Sequence, residues 1–302
     1  MKPETFAAID IGSNAVRLLI KRVDKNASPE DKVLKKQLLL RVPLRLGFDV
    51  FAKGKVSQHR AEDLLRLMKA YRQLMKIYDV DIMRACATSA MRDAENGREL
   101  IKKIESETGI RIEIIAGEEE ARIVYNNHME RLGHEAEGNY LYVDVGGGST
   151  ECNFLSDGVL LASMSFNIGT VRILTEKVKP EEWVRMNERL SALAEAHPGL
   201  TIIGSGGNIN RLYKMAEDKD ASDSSFSVEE LSHLYHMLKP LSVEQRISRY
   251  DLKPDRADVI IPAAEIFLNI ASVTKARRII VPVIGVADGI IDGLYETFRG
   301  TD

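Results

Sequence analysis

The chain opens with a short apolar run, Phe6-Ala-Ala-Ile9, that stops at an acid, Asp10. A glycine turn covers Asp10–Asn14, and branched residues resume over 16–23, so the pattern predicts two strands joined by a tight turn. Residues 33–46 read as further strand. From 57 to 78 the period changes. Leu64, Leu67, Met68, Tyr71, Leu74, Met75 and Tyr78 recur on one helical face behind a capping Ser57. A strand over 82–87, a helix over 97–107, a strand over 111–115 and a helix beginning near Glu118 complete the first half. The second half predicts strands over 140–143, 152–155 and 159–166, then a helix from Pro180 to just before Pro198. A strand over 200–203 runs into Gly204-Ser-Gly-Gly207. Helices over 227–238 and 255–275, a strand over 278–284 and a last helix over 287–298 follow, while the polar stretch 217–227 reads as a mobile loop. Strands and helices alternate throughout, which predicts an α/β class.

Length and charge narrow this picture. At 302 residues the chain exceeds one comfortable core and predicts two domains, 1–124 and 125–302, divided near the polar stretch His134-Glu-Ala-Glu-Gly138. The last helix is expected to pack back on the first domain. The net charge of −3 disfavours a general nucleic-acid binder, so any grip on a polyanion must come from local sites. The two cysteines, Cys86 and Cys152, lie inside apolar runs, which excludes a disulfide scaffold and suits a reducing compartment. No secretory pattern and no apolar run of membrane-spanning length is read, so the expectation is a cytoplasmic protein without a membrane partner.

Two segments carry the chemistry. Ala8-Ile-Asp-Ile-Gly-Ser-Asn14 and Tyr142-Val-Asp-Val-Gly-Gly-Gly-Ser-Thr150 each place an apolar strand, an acid, a glycine and small polar residues in the same order. This predicts an internal duplication, one copy per domain. Glycines let backbone approach a ligand closely, and consecutive N–H groups in such a turn form an anion-binding concavity. Gly12, Ser13 and Asn14 in the first turn, and Gly146, Gly147, Gly148, Ser149 and Thr150 in the second, are therefore candidate phosphate ligands. Asp10 and Asp144 cannot usefully touch a bare phosphate, but each can hold a hydrated divalent cation beside one. A Walker loop is absent because Gly54-Lys55 leads into Val56, and the second glycine run leads into a strand rather than a dinucleotide-binding helix. Glu118, Glu119 and Glu120 open a helix, where acids complement the helix dipole; one of them could instead serve as a general base, and spacing does not say which.

With these residues in place, the chain resembles the exopolyphosphatase and guanosine pentaphosphate phosphatase family, within the superfamily of actin, heat-shock ATPases and sugar kinases. The matching segments are Ala8–Asn14 with Arg17-Leu18, Arg45-Leu-Gly47, Ala87-Thr-Ser-Ala-Met-Arg-Asp93 and Gly117-Glu-Glu-Glu-Ala-Arg122. They continue with Asp144–Glu151, Gly169-Thr-Val-Arg172, Gly204-Ser-Gly-Gly-Asn208 and Asp255-Arg-Ala-Asp258. The resemblance implies two ribonuclease-H-like (actin-like ATPase) domains with a cleft between them. It implies that Glu120 is the catalytic acid, that Glu151 joins Asp10 and Asp144 around Mg²⁺ or another divalent cation, and that Arg92 lies near the phosphates. Arg17, Gly206 and Gly207 join the expected phosphate ligands. Ala15 stands where the family often has serine, and Gly285-Val-Ala-Asp-Gly289 departs from the family pattern Gly-Leu-Arg-Glu-Gly.

The expected activity is hydrolysis of the terminal phosphate of inorganic polyphosphate. Alternatives are a guanosine pentaphosphate 5′-phosphatase, a kinase or ATPase of the same superfamily, and a non-catalytic sensor of polyphosphate or alarmone. A homodimer is the base-rate expectation. His233 and His236 read as a solvated helix face rather than half a metal site, and Trp183 as packing. Arg122, Arg172, Arg211 and Arg256 read as ion-pair formers or as an anion-channel lining.

Overall fold

A computed structural model describes residues 4–24, 26, 33–123, 137–282 and 285–299. Its contacts divide the chain into two compact units, 1–116 with 286–302, and 117–285. The expected boundary is 124/125, but the helix that starts at 117 groups with the second unit because it docks on that unit's sheet. The polar stretch near residue 134 lies outside the described residues.

Unit 1 is built on a five-stranded sheet, β3-β2-β1-β4-β5. Its strands are β1 (Thr5–Ile11), β2 (Val16–Val23), β3 (Leu34–Val42), β4 (Ile82–Ala87) and β5 (Ile112–Ile114). The first three pair antiparallel, while β4 pairs parallel to β1 and β5 to β4. Every residue of β1 is buried, as expected of a central strand covered on both faces. Four helices follow these strands: α1 (Leu46–Lys53), α2 (Gln58–Ile77), α3 (Ser89–Asp93) and α4 (Gly97–Thr108). Ser57 caps α2 by accepting from Arg60 N–H, as its sequence position predicts. The expected strand over 33–46 is shorter: it ends at Val42, and α1 starts at Leu46, opened by Arg45 in the left-handed region at φ 55°.

Unit 2 begins with α5, described over 117–123. Its strands are β6 (Asn139–Val145), β7 (Thr150–Ser156), β8 (Val159–Phe166), β9 (Thr201–Ser205), β10 (Lys219–Asp220), β11 (Ser225–Ser227) and β12 (Arg278–Ile280). Its other helices are α6 (Thr170–Leu174), α7 (Pro180–Ala196), α8 (Gly207–Met215), α9 (Val228–Leu238), α10 (Val243–Tyr250), α11 (Pro254–Ala257) and α12 (Ile260–Thr274). The sheet order is β10-β11-β12-β9-β6-β7-β8. Two segments differ from what the sequence pattern predicts. The expected loop 217–227 contains the small antiparallel pair β10–β11, held to the sheet edge through β12. The segment 254–274 is long and apolar enough to cross a membrane by composition, but most of it is buried inside unit 2, and a helix apolar all round suits such a core. The last helix, α13 (Val286–Arg299), joins unit 1. Lys21 of β2, itself buried, meets Asp288 and Asp292 of α13 at 3.0 Å each, and Tyr295 packs edge-on against Phe6.

The two sheets share one topology. Reading β8-β7-β6-β9-β12 against β3-β2-β1-β4-β5 gives the same order and the same strand directions. This is the ribonuclease-H-like arrangement, present twice, and it places Asp10 and Asp144 each at the sixth position of a seven-residue first strand.

Candidate active site

The duplication extends to single hydrogen bonds. In unit 1 Gly12 N–H donates to Ala15 C=O at 3.1 Å; in unit 2 Gly146 N–H donates to Ser149 C=O at 3.0 Å. A Cβ on either glycine would lie 3.1 Å from that carbonyl oxygen, so the closed turn favours glycine at both places. Each turn is also held from behind by the helix that follows the third strand. Ser13 C=O accepts from Gly47 N–H and Asn14 C=O from Arg45 N–H at the start of α1. Gly147 C=O accepts from Val171 and Arg172 N–H at the start of α6, and Gly148 C=O accepts from the Arg172 Nε–H. With the carbonyls occupied on that side, the N–H groups of Gly147 and Gly148 have no acceptor among the described residues. That is the arrangement an anion-binding concavity requires.

The acids differ. Asp10 is 2% exposed, and its strand partner is Arg17, whose guanidinium lies 2.5 Å from the carboxylate. The first turn thus carries its own cation beside the acid expected to hold a metal. The neighbouring Tyr71, whose hydroxyl donates to Val16 C=O, is pushed well above the usual phenol range by burial and then by the Asp10 charge. In unit 2 the strand partner of Asp144 is Glu151, also 2% exposed, so two carboxylates stand opposite each other on one face. Like charges in such a pair repel, which favours a bound cation. Among the described residues no group of three or more His, Cys, Asp or Glu converges. Mg²⁺, however, is commonly held by one or two carboxylates plus substrate phosphate, so Asp144 and Glu151 fit it. Cys152, beside Glu151, is no nucleophile candidate: burial first, and the Glu151 charge second, hold its thiol protonated.

The burial pattern separates the three glutamates of α5. Glu118 and Glu119 are exposed, whereas Glu120 is 7% exposed. Helix α5 is seated on β7 and β8. A Cβ on Gly117 would lie 2.2 Å from the Ser165 hydroxyl and 3.9 Å from a Glu151 carboxylate oxygen, so only glycine allows this approach. Residues 117 and 120 lie one turn apart on one helix face, which puts Glu120 on the face of α5 turned toward the sheet.

This geometry agrees with what comparison with known proteins returns. The sequence model of the Ppx/GppA phosphatase family matches residues 32–298. The chain belongs to that family. Similar proteins include exopolyphosphatase 2 of Mycobacterium tuberculosis, 28% identical over 97% of this chain and 98% of that one. A bifunctional 3-dehydroquinate synthase/phosphatase of Fusobacterium nucleatum is 31% identical over 84% of this chain. The chain spans 41% of that protein and 58% of the M. tuberculosis exopolyphosphatase 1. Among solved structures, the Aquifex aeolicus Ppx/GppA family member has 28% identity, 99% coverage of both chains and a TM-score of 0.76. An exopolyphosphatase from Cytophaga hutchinsonii, 21% identical with a TM-score of 0.83, shares the fold.

The other expected site residues each have a definite place in the fold. The Thr150 hydroxyl is not available to phosphate: it is fully buried and donates to Ile168 C=O at 2.6 Å, because Thr150 is already the first residue of β7. The Ser13 hydroxyl is buried and bonded to the Ser89 hydroxyl at 2.8 Å. One Arg92 nitrogen donates to Ile115 C=O at 2.8 Å and braces the chain just before α5. Gly206 has φ 104°, and a Cβ there would lie 2.9 Å from an Asp144 carboxylate oxygen; Gly207 lies under Arg256, which donates to its carbonyl. Among the four arginines weighed as ion-pair formers or channel lining, Arg172 and Arg256 hold turn carbonyls, and Arg211 donates to Asp251 C=O at 3.2 Å. His233 and His236 are exposed on α9, and Trp183 packs against the unit 2 core. Sequence reasoning gave no role to Ser89, Gly169 or Asn153. A Cβ on Gly169 would meet Gly148 backbone at 2.5 Å, and the only sequence signal for it was its place in a matching family segment.

Proposed function

We propose that this chain is an exopolyphosphatase, a phosphoric anhydride hydrolase that releases the terminal phosphate of inorganic polyphosphate, with Glu120 as the base. The observation that carries this reading is the selective burial of Glu120 on a helix docked beside Glu151. The Gly147 and Gly148 amides, with the Ser149 hydroxyl, receive phosphate oxygens, and the matching turn at Gly12, Ser13 and Asn14 offers the same kind of grip. Asp144 and Glu151 hold Mg²⁺, which when bound offsets phosphate charge. Glu120 accepts a proton from water as its oxygen bonds to the terminal phosphorus and the bridging P–O bond breaks, leaving a shortened chain and orthophosphate.

The test is phosphate release from short polyphosphate, long polyphosphate and guanosine pentaphosphate, with and without Mg²⁺, for the wild type and Glu120→Gln. The variant is expected to bind polyphosphate and to lose release by about a thousandfold or more. Near-wild-type release by Glu120→Gln removes Glu120 from the role of base. Release confined to the nucleotide reassigns the substrate to guanosine pentaphosphate, and binding without release from any of the three makes the protein a sensor.

A further inference from the structure

Beside Glu151 on β7 lies a polar pair with no part in the chemistry above. Asn153 is buried, two residues on from Glu151 and so on the same face of the strand. Its amide nitrogen donates to Ala121 C=O on α5 at 2.7 Å, and its amide oxygen accepts from the Ser163 hydroxyl of β8 at 2.7 Å. A carbonyl only accepts, so the amide nitrogen must face Ala121, and the Ser163 hydroxyl takes the remaining end. One step along the ladder, Ser165 donates to a Glu151 carboxylate oxygen at 2.9 Å and also meets Gly117. Two cross-strand pairs, Asn153 with Ser163 and Glu151 with Ser165, therefore touch α5 at residues 121 and 117.

Unit 1 supplies an internal control. Matching Asp10 to Asp144 places Leu19 at the position of Asn153 and Leu39 at that of Ser163, and Leu19 and Leu39 are cross-strand partners. The same sheet position thus accepts an apolar pair, even though α13, which carries Asp288 and Asp292, meets Lys21 two residues further along that face. The polar pair in unit 2 is not a requirement of the sheet. Its distinctive contact is the backbone carbonyl of the residue after Glu120.

We propose that Asn153, oriented by Ser163, is a positioning residue: it fixes the turn of α5 that carries Glu120 relative to Glu151 and so sets the distance from base to metal-side carboxylate. This rests on the reading of Glu120 as the base. Without the amide, α5 keeps its Gly117 contact but loses its second point of attachment, and displacement of a base by about 1 Å is enough to cost on the order of a hundredfold in rate.

The experiment uses the full chain with Asn153→Leu, which copies the unit 1 residue, and Ser163→Ala, which leaves the amide in place and loosens only its orientation. Asn153→Leu is expected to lower kcat for polyphosphate about tenfold or more with KM within about twofold, and Ser163→Ala to lower it about threefold. Amide hydrogen exchange over 117–123 is expected to quicken in Asn153→Leu while β6 and β7 stay protected. In a Glu120→Gln background, adding Asn153→Leu is expected to cause no further loss, since a residue acting through Glu120 has nothing left to position. An unchanged kcat in both variants, unchanged exchange over 117–123, or an independent loss in the double variant overturns the proposal. If Glu120→Gln retains activity, the base assignment fails instead, and the exchange measurement still decides whether Asn153 seats the helix. Should Asn153→Leu not fold, Ser163→Ala carries the same rate and exchange readouts.

Discussion

The two turns have one backbone and opposite charge designs. Each closes with the same glycine-to-carbonyl hydrogen bond, and each has its carbonyls held by the helix after the third strand. At the facing strand position, however, unit 1 has Arg17 opposite Asp10, and unit 2 has Glu151 opposite Asp144. The first acid faces a guanidinium of its own chain; the second faces another carboxylate. A duplicated fold therefore fixes where the glycine turn lies, while one side chain on the neighbouring strand sets the charge that its acid faces.

The sharpest way to break this comparison is to neutralise one partner in each unit. Glu151→Gln is expected to lower phosphate release by about a hundredfold, with partial recovery at higher Mg²⁺. Arg17→Gln is expected to act mainly on stability, by about 2 kcal/mol, because it leaves a buried carboxylate without its guanidinium; the third of Arg17 that is exposed keeps the figure below that of a fully buried pair. Mg²⁺ titrations of activity and urea unfolding separate the two, and matching losses with the same Mg²⁺ response would erase the distinction. Next in size, Gly169→Ala forces a Cβ against the Gly148 backbone and is expected to cost about 1–3 kcal/mol in urea unfolding, more than Gly12→Ala, whose Cβ meets one carbonyl oxygen at 3.1 Å. Ser13→Ala removes the bond to Ser89 and is expected to cost about 1 kcal/mol, read from the thermal midpoint.

The smallest effect concerns acid stability of the helices behind the first turn. Burial opposes ionisation of Asp49, but hydrogen bonds from Ser57 and the charge of Arg60 outweigh it and hold the carboxyl below its usual 3.8. A depressed folded pKa stabilises above pH 3.8 and is lost as pH falls through the folded value. The wild type should therefore exceed Asp49→Asn in thermal midpoint near pH 6 by the equivalent of under about 1 kcal/mol, and the gap should narrow as pH falls below 3.8. A gap that does not narrow as pH falls below 3.8 assigns the effect to shape rather than charge.

Long periodic segments were legible. The face from Leu64 to Tyr78, the Ser57 cap and the strand over 16–23 stand where the sequence places them, because the helical spacing reflects one buried face and the run of branched residues a strand covered on both. Short elements were not. Helices α1, α3, α6 and α10 are eight residues or fewer, too short for a clear period; tertiary contacts hold the first turns of α1 and α6, while a local Ser242–Gln245 capping box starts α10. In the site, the glycines and acids of both turns were readable from residue type. The diversion of the Thr150 hydroxyl to Ile168 was not, since nothing in the local sequence says that residue 168 comes back against residue 150.

By itself the sequence determined that two acid-glycine turns recur, each behind an apolar strand, and that three glutamates open one helix. Those facts follow from local chemistry: glycine for closed turns, small polar groups for anions, acids at a helix start. Only the tertiary structure decided that Asp10 faces a guanidinium while Asp144 faces a second acid, and that Glu120 is buried while its two neighbours face water. The physical reason is register. Pairing between strands, and the seating of a helix on a sheet, bring together residues far apart in the chain, and it is those meetings that give an acid its charge environment.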